Sequence, residues 1–177
     1  METSSVRFVE RNNKDKRRYK FLNGLDGRAI PLLGERLFDD ARALYSKFGG
    51  EEFDYVLGFA EGGMVPAFAL SMAAQRPLIG SYRLRLKLEG EILFQEPHSE
   101  RSAHYVYGLK PGDRVVIVED EITSGKTTGN AVKALEDAGI HVCGVMAYYL
   151  CNEEEKIRLN LPLRIRFDWL RKKPLKE

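Results

Sequence analysis

Cysteine is scarce in this chain. Cys143 and Cys151 are the only two in 177 residues, and no C-x-x-C spacing occurs. That argues against a thiolate metal cage or a disulfide framework and leaves two reduced core residues. Long apolar runs are missing as well, so no stretch suits a membrane span. The start Met1-Glu2-Thr3-Ser4 has none of the character of a signal peptide, and a cytoplasmic protein with no membrane partner is expected. Charge of one sign is not in excess. With 28 Lys+Arg against 26 Asp+Glu the net charge is +2, which gives no general pull toward nucleic acid. There is no internal repeat and no low-complexity linker. Hydrophobic content of 44% and charged content of 31% describe one globular domain with a sizeable core. Residues 1–20 read as a polar arm carrying the basic run Arg11–Lys20, and residues 21–177 as a single domain.

What is present centres on Val115–Thr128, VVIVEDEITSGKTT. Val115, Val116, Ile117 and Val118 give a short buried-strand signal. Glu119 and Asp120 follow at once, then the small hydroxyl-rich loop Thr123-Ser124-Gly125-Lys126-Thr127. Behind it Val132, Leu135 and Ala138 keep near one helical face, and Gly139 supplies the stop. Such a strand, acidic turn, loop and helix aim backbone N–H groups and the positive helix end at one point, which suits a phosphate. The two carboxylates beside it suit sugar hydroxyls or a hydrated cation. Gly125-Lys126-Thr127 also ends a P-loop pattern, but the first glycine of that pattern would be residue 120, and residue 120 is aspartate. Two acids ending a buried strand are costly unless something uses them.

A second strand-to-helix turn lies at Asp54–Pro66, DYVLGFAEGGMVP. Tyr55-Val56-Leu57 predicts a strand, and Val65, Ala67, Phe68, Leu70, Met72 and Ala73 a mostly apolar helix with Pro66 in its first turn. The small residues between them let a backbone approach a phosphate closely. Upstream, Leu37, Phe38, Ala41, Leu44, Tyr45 and Phe48 recur at helical spacing, ended by Gly49-Gly50. Downstream, Tyr82, Leu84 and Leu86 alternate with Arg83, Arg85 and Lys87, which predicts one strand over 78–87 with a basic face. That face is either a solvated sheet edge or a cationic row for a leaving anion. Residues 91–104 then read as irregular and polar. Strands near 142–149 and within 161–169 complete the pattern. The alternation predicts an α/β fold, a mostly parallel sheet flanked by helices. Phe167, Asp168 and Trp169 either pack an edge strand or stack on a base.

The stretch 115–128 resembles the ribose-phosphate loop of the type I phosphoribosyltransferases, and 54–66 resembles their pyrophosphate loop. Leu57–Glu61, Phe94-x-Glu96-Pro97-His98-Ser99 with His104, and Glu119–Gly125 with Asn130 look like one orotate-phosphoribosyltransferase-like subgroup, the one associated with tellurium-resistance clusters. The resemblance covers roughly residues 20–150 and implies a donor, 5-phosphoribosyl pyrophosphate (PRPP), carried with Mg²⁺. Glu119 and Asp120 would hold the ribose hydroxyls, and Thr123, Ser124, Gly125, Lys126 and Thr127 the 5′-phosphate. Ala60, Glu61 and Gly62 would meet pyrophosphate, with Glu61 and Asp120 toward the metal. Arg83, Arg85 and Lys87 would neutralise pyrophosphate, donated across a homodimer. A hood near 88–106 would close over the substrate, with His98 and His104 either acting on the acceptor or leaving group or serving as structural histidines. The catalytic set would be Glu119, Asp120, His98 and Arg83, with Phe167 and Trp169 at a small-molecule acceptor. The implied reaction transfers phosphoribosyl to a nitrogen of a nucleobase. The other reading on the same fold is a non-catalytic protein that senses PRPP or a nucleotide.

Overall fold

The apolar run that begins at Val115 lies in the middle of a seven-stranded sheet. The structure is a computed structural model describing residues 7–10, 19–28, 30–97 and 103–173. In chain order its elements are β1 (Arg7–Glu10), β2 (Tyr19–Leu22), α1 (Gly34–Phe48), β3 (Tyr55–Phe59), α2 (Met64–Ala74), β4 (Leu78–Tyr82) and β5 (Ile92–Gln95). There follow β6 (Ala103–Val106), β7 (Arg114–Ile122), α3 (Lys126–Asp137), β8 (His141–Leu150), α4 (Glu154–Arg158) and β9 (Arg166–Lys172).

The sheet order is β5-β6-β4-β3-β7-β8-β9. β4, β3, β7, β8 and β9 pair in parallel, while β6 pairs antiparallel with both β4 and β5. The expected α/β fold is therefore present. Its logic is that of a topological switch. From β3 the chain crosses through α2 to β4 on one side, and from β7 through α3 to β8 on the other. α2 packs in the layer with Val56, Val116, Met146 and Tyr148; α3 packs in the opposite layer with Leu57, Ile117 and Val145. β3 and β7 are neighbours in register, Gly58 beside Val118, so the loops leaving both emerge together. Open α/β sheets bind ligands at such a crevice, at the carboxyl ends of the strands.

The helices follow from their apolar spacing. α1 buries Leu37, Ala41, Leu44 and Phe48 and stops at Gly49, whose φ of +71° is the left-handed form that suits glycine. α3 buries Thr128, Ala131, Val132 and Leu135.

Several sequence expectations are corrected. Glu119 and Asp120 do not sit in a turn: β7 continues through them to Ile122, because β8 keeps pairing alongside as far as Ile122 beside Leu150. The strand expected over 78–87 ends at Tyr82. Past it Leu84, Leu86 and Leu88 are exposed, so alternation there found no surface to cover, and Arg83, Arg85 and Lys87 lie in a connection instead of on a strand face. The hood segment is not wholly irregular; β5 and β6 form a hairpin across it, burying Ile92, Phe94, His104 and Val106. The last strand starts at Arg166 and runs to Lys172, later than 161–169 suggested. The stretch read as an arm also holds β1, paired antiparallel with β2.

Candidate active site

Successive strand residues point to opposite faces, and that separates the two acids at the end of β7. Glu119 turns to the α3 side. It is 8% exposed, and Thr128 Oγ1, in the first turn of α3, donates to its Oε1 at 3.4 Å. Burial, then the neighbouring charges of Asp120 and Glu96, push its carboxyl well above the ordinary range. Asp120 turns to the other side, where Asn23 Nδ2 donates to its Oδ2 at 2.7 Å. Burial raises Asp120 as well, with the Asn23 hydrogen bond pulling in the opposite direction.

The loop after β3 comes up against this second carboxylate. A Cβ on Gly62 would lie 2.7 Å from Asp120 Oδ2, so only glycine lets the backbone pass. Ala60 N–H donates to Ser81 O at 3.0 Å, and Gly63 N–H to Phe59 O at 2.9 Å, which ties the loop to β4 and β3. The Ala60–Glu61 peptide bond is cis. Glu61 points outward, and Arg28 Nη1 donates to its Oε2 at 2.6 Å.

The loop after β7 is held from behind. Gly125 is the N-cap of α3 at φ +73°, and no side chain caps the helix from that position. A Cβ there would stand 2.8 Å from Ile157 O, while Asn160 Nδ2 donates to Ser124 O at 2.8 Å. Residues 157–160 thus press Thr123, Ser124 and Gly125 onto the start of α3, with Lys126 and Thr127 as its first residues. First-turn N–H groups and the helix dipole make that end of α3 a place for an anion.

Two of the cations expected beside the pyrophosphate loop have other partners. Arg83 pairs with Glu96, and Arg85 pairs with Glu91 at 2.8 Å. Lys87 has a positive φ in the same connection. Glu96 carries more than Arg83. His104 Nε2 lies 3.0 Å from it, and His104 Nδ1 lies 3.0 Å from Ser81 Oγ. His104 is 1% exposed and stacks on Phe94 at 4.9 Å. The order Ser81–His104–Glu96 is that of a hydrolytic triad, but Ser81 is 0% exposed and cannot meet a substrate. Burial would raise Glu96, yet His104 and Arg83 outweigh it and hold the carboxyl below its usual range. His98 lies outside the described residues.

Phe167 and Trp169 share a face of β9 but not a setting. Phe167 is 4% exposed in the core, with Arg158 over its ring at 5.2 Å. Trp169 stands level with Ala147 and, through it, with Glu119. Two strand spacings put it about 10 Å from that acid. Of the two expected at an acceptor, then, Trp169 is the half-buried one, with Lys47 Nζ over its ring at 4.9 Å.

Three site neighbours were not foreseen. Asn23 and Arg28 belong to no local motif, and Asn23 is 97 residues from its partner. Glu96 stood in a motif without a role.

The fold defines an α/β protein of the type I phosphoribosyltransferase fold, with the two loops meeting at the switch between β3 and β7. Residues 6–161 match the family model described as phosphoribosyl transferase, and the chain belongs to that family. It is 33% identical over 119 residues to the hypoxanthine/guanine phosphoribosyltransferase of Methanosarcina acetivorans, and 34% identical over 119 residues to that of Methanosalsum zhilinae. Each match covers 67% of this chain and spans 63% of the relative's length. Among solved structures, adenine phosphoribosyltransferase from Thermoanaerobacter pseudethanolicus superposes with TM-score 0.74 at 16% identity, covering 94% of this chain and 95% of that one. The enzyme of the same name from Rhodothermus marinus gives 0.70 at 20% identity, covering 95% and 94%.

Proposed function

We propose that the protein transfers the 5-phosphoribosyl group from PRPP to a ring nitrogen of a nucleobase and releases pyrophosphate. The observation that supports this most directly is the meeting of two anion-suited loops at the switch point, with Gly62 against Asp120. In the reaction the bond from ribose C1 to pyrophosphate oxygen breaks and a C1–N bond forms. Positive charge grows on the ribose while negative charge leaves with pyrophosphate. The protein's part is to position the donor and stabilise those charges.

In this reading Glu119 and Asp120 accept from ribose hydroxyls. Thr123, Ser124, Gly125, Lys126 and Thr127 hold the 5′-phosphate at the N-terminus of α3. Ala60, Glu61 and Gly62 meet pyrophosphate, and Arg83 reaches the site through Glu96, whose charge is felt at Glu119. Trp169 faces the acceptor. A homodimer would let the connection carrying Arg85 and Lys87 serve a second site.

Among the described residues no three His, Cys, Asp or Glu side chains converge as a metal cage. That suits a divalent cation that arrives with the donor, keeps several waters and touches one or two carboxylates. Glu61 and Asp120 are the oxygen donors for Mg²⁺, which when bound would offset the charge of the departing pyrophosphate.

The names of the sequence relatives favour a purine, hypoxanthine or guanine, over orotate. The subgroup likeness to the tellurium-resistance-associated proteins carries no acceptor with it. Pyrophosphate release from PRPP, measured against hypoxanthine, guanine, adenine and orotate, tests the reading. PRPP binding without release for any base would leave a sensor in place of an enzyme.

A further inference from the structure

Asn23 is held by two hydrogen bonds that fix which way its amide faces. Its Oδ1 accepts from Leu25 N–H at 2.9 Å, and its Nδ2 donates to Asp120 Oδ2 at 2.7 Å. The oxygen is committed to a backbone donor, so the nitrogen must meet the carboxylate; the reversed amide would set two donors face to face and two acceptors face to face. The residue is 7% exposed, a buried polar side chain with its amide orientation settled by its own neighbours. Gly62 approaches the same carboxylate so closely that a Cβ would be 2.7 Å from Oδ2 and 3.1 Å from Oδ1.

We infer that Asn23 is a positioning residue for the donor's ribose. It clamps Oδ2 of Asp120, and the Gly62 backbone crowds the same carboxylate. The carboxylate is held in one rotamer, and Oδ1 is presented to a sugar hydroxyl. A carboxylate accepts about four hydrogen bonds, so one from Asn23 leaves capacity for the ligand. The residue does not touch the reacting atoms. Its effect runs through Asp120, so the inference rests on the assignment of Asp120 to the ribose. The chain segment 23–28 thereby becomes part of the donor site, joined to it at Asp120 by Asn23 and at Glu61 by Arg28.

The test compares ribose 5-phosphate with 2-deoxyribose 5-phosphate, binding measured by calorimetry on the full chain without metal. Asn23→Asp keeps the shape and the acceptor for Leu25 N–H while removing the donor. Asn23→Ser is the second variant, small and able to accept from the same N–H. Wild type should prefer the ribose compound by on the order of tenfold or more, the value of a charge-assisted hydrogen bond. Both variants should lose most of that preference while their affinity for inorganic phosphate at the α3 loop stays within about twofold, since no phosphate contact changes. The exchange variant Asn23→Asp/Asp120→Asn restores a donor–acceptor pair with the roles reversed. It should recover the thermal stability lost in Asn23→Asp without recovering the ribose preference. A full preference for ribose in both folded Asn23 variants, with Asp120→Asn having lost it, overturns the positioning role alone. An unchanged preference in Asp120→Asn removes the ribose assignment of Asp120, and the inference falls with it.

Discussion

Arg28 Nη1 lies 2.6 Å from Glu61 Oε2, and that pair resolves why an acid stands in a loop suited to pyrophosphate. A carboxylate there needs a cation, and Arg28 supplies one. Arg28 and Glu61 side chains are 46% and 67% exposed, so the pair contributes under about 1 kcal/mol and exchanges easily. Glu61 can therefore pass from Arg28 to a cation that enters with the donor. Glu61→Gln should leave the melting temperature nearly unchanged and raise the Mg²⁺ concentration needed for PRPP binding. Binding of a 5′-monophosphate should not change. Tighter PRPP binding at every Mg²⁺ concentration would show the carboxylate to be merely repulsive.

Glu119 is a buried acid at the end of β7. Its folded-state carboxyl titrates well above the unfolded one, because burial disfavours the charge. The folded state then binds more protons than the unfolded state between those two values, so stability falls as pH rises through that window. Glu119→Gln should remove this slope and stabilise the ligand-free protein at neutral pH by about 1–3 kcal/mol. The same change should weaken PRPP binding. Thermal unfolding and calorimetry on one preparation check both halves, and a destabilised variant would contradict the first.

Glu96 predicts the opposite sign. Its carboxyl titrates below the ordinary value of 4.5, so the stability it contributes is complete above that pH and disappears as pH falls through the lower folded value. Glu96→Gln should cost about 1–3 kcal/mol at pH 7, as charge-assisted bonds to Arg83 and His104 are lost. The difference from wild type should shrink below about pH 4 in thermal unfolding. A gap of constant size from pH 7 to pH 3 would mean that the network contributes through packing alone.

ATP hydrolysis should be absent. Asp120 occupies the place where a P-loop requires its first glycine, and β7 runs on through it as strand. Phosphate release from ATP that depends on Lys126 would restore the nucleotide-hydrolase reading.

Both loops were legible because each is written in adjacent residues. A β-branched run, two acids, a small hydroxyl-rich turn and a helical stripe are one local grammar, and glycine density marks the other loop. Strand alternation with helices was enough for the parallel sheet. Alternation failed over 83–87, since period-two hydrophobicity states only that a face could be covered, and no element among the described residues covers Leu84, Leu86 and Leu88. It also placed Phe167 and Trp169 on one face without separating the core end of β9 from the site end. The acids' division between the two faces of the sheet required knowing that β8 holds β7 extended as far as Ile122. Asn23, Arg28 and Glu96 reach the site by long closures of the chain, over 97 residues for Asn23 and 33 for Arg28. Local propensity has no term for such contacts; they exist because the sheet order brings β3, β4 and β7 side by side and the segments around them meet at one edge.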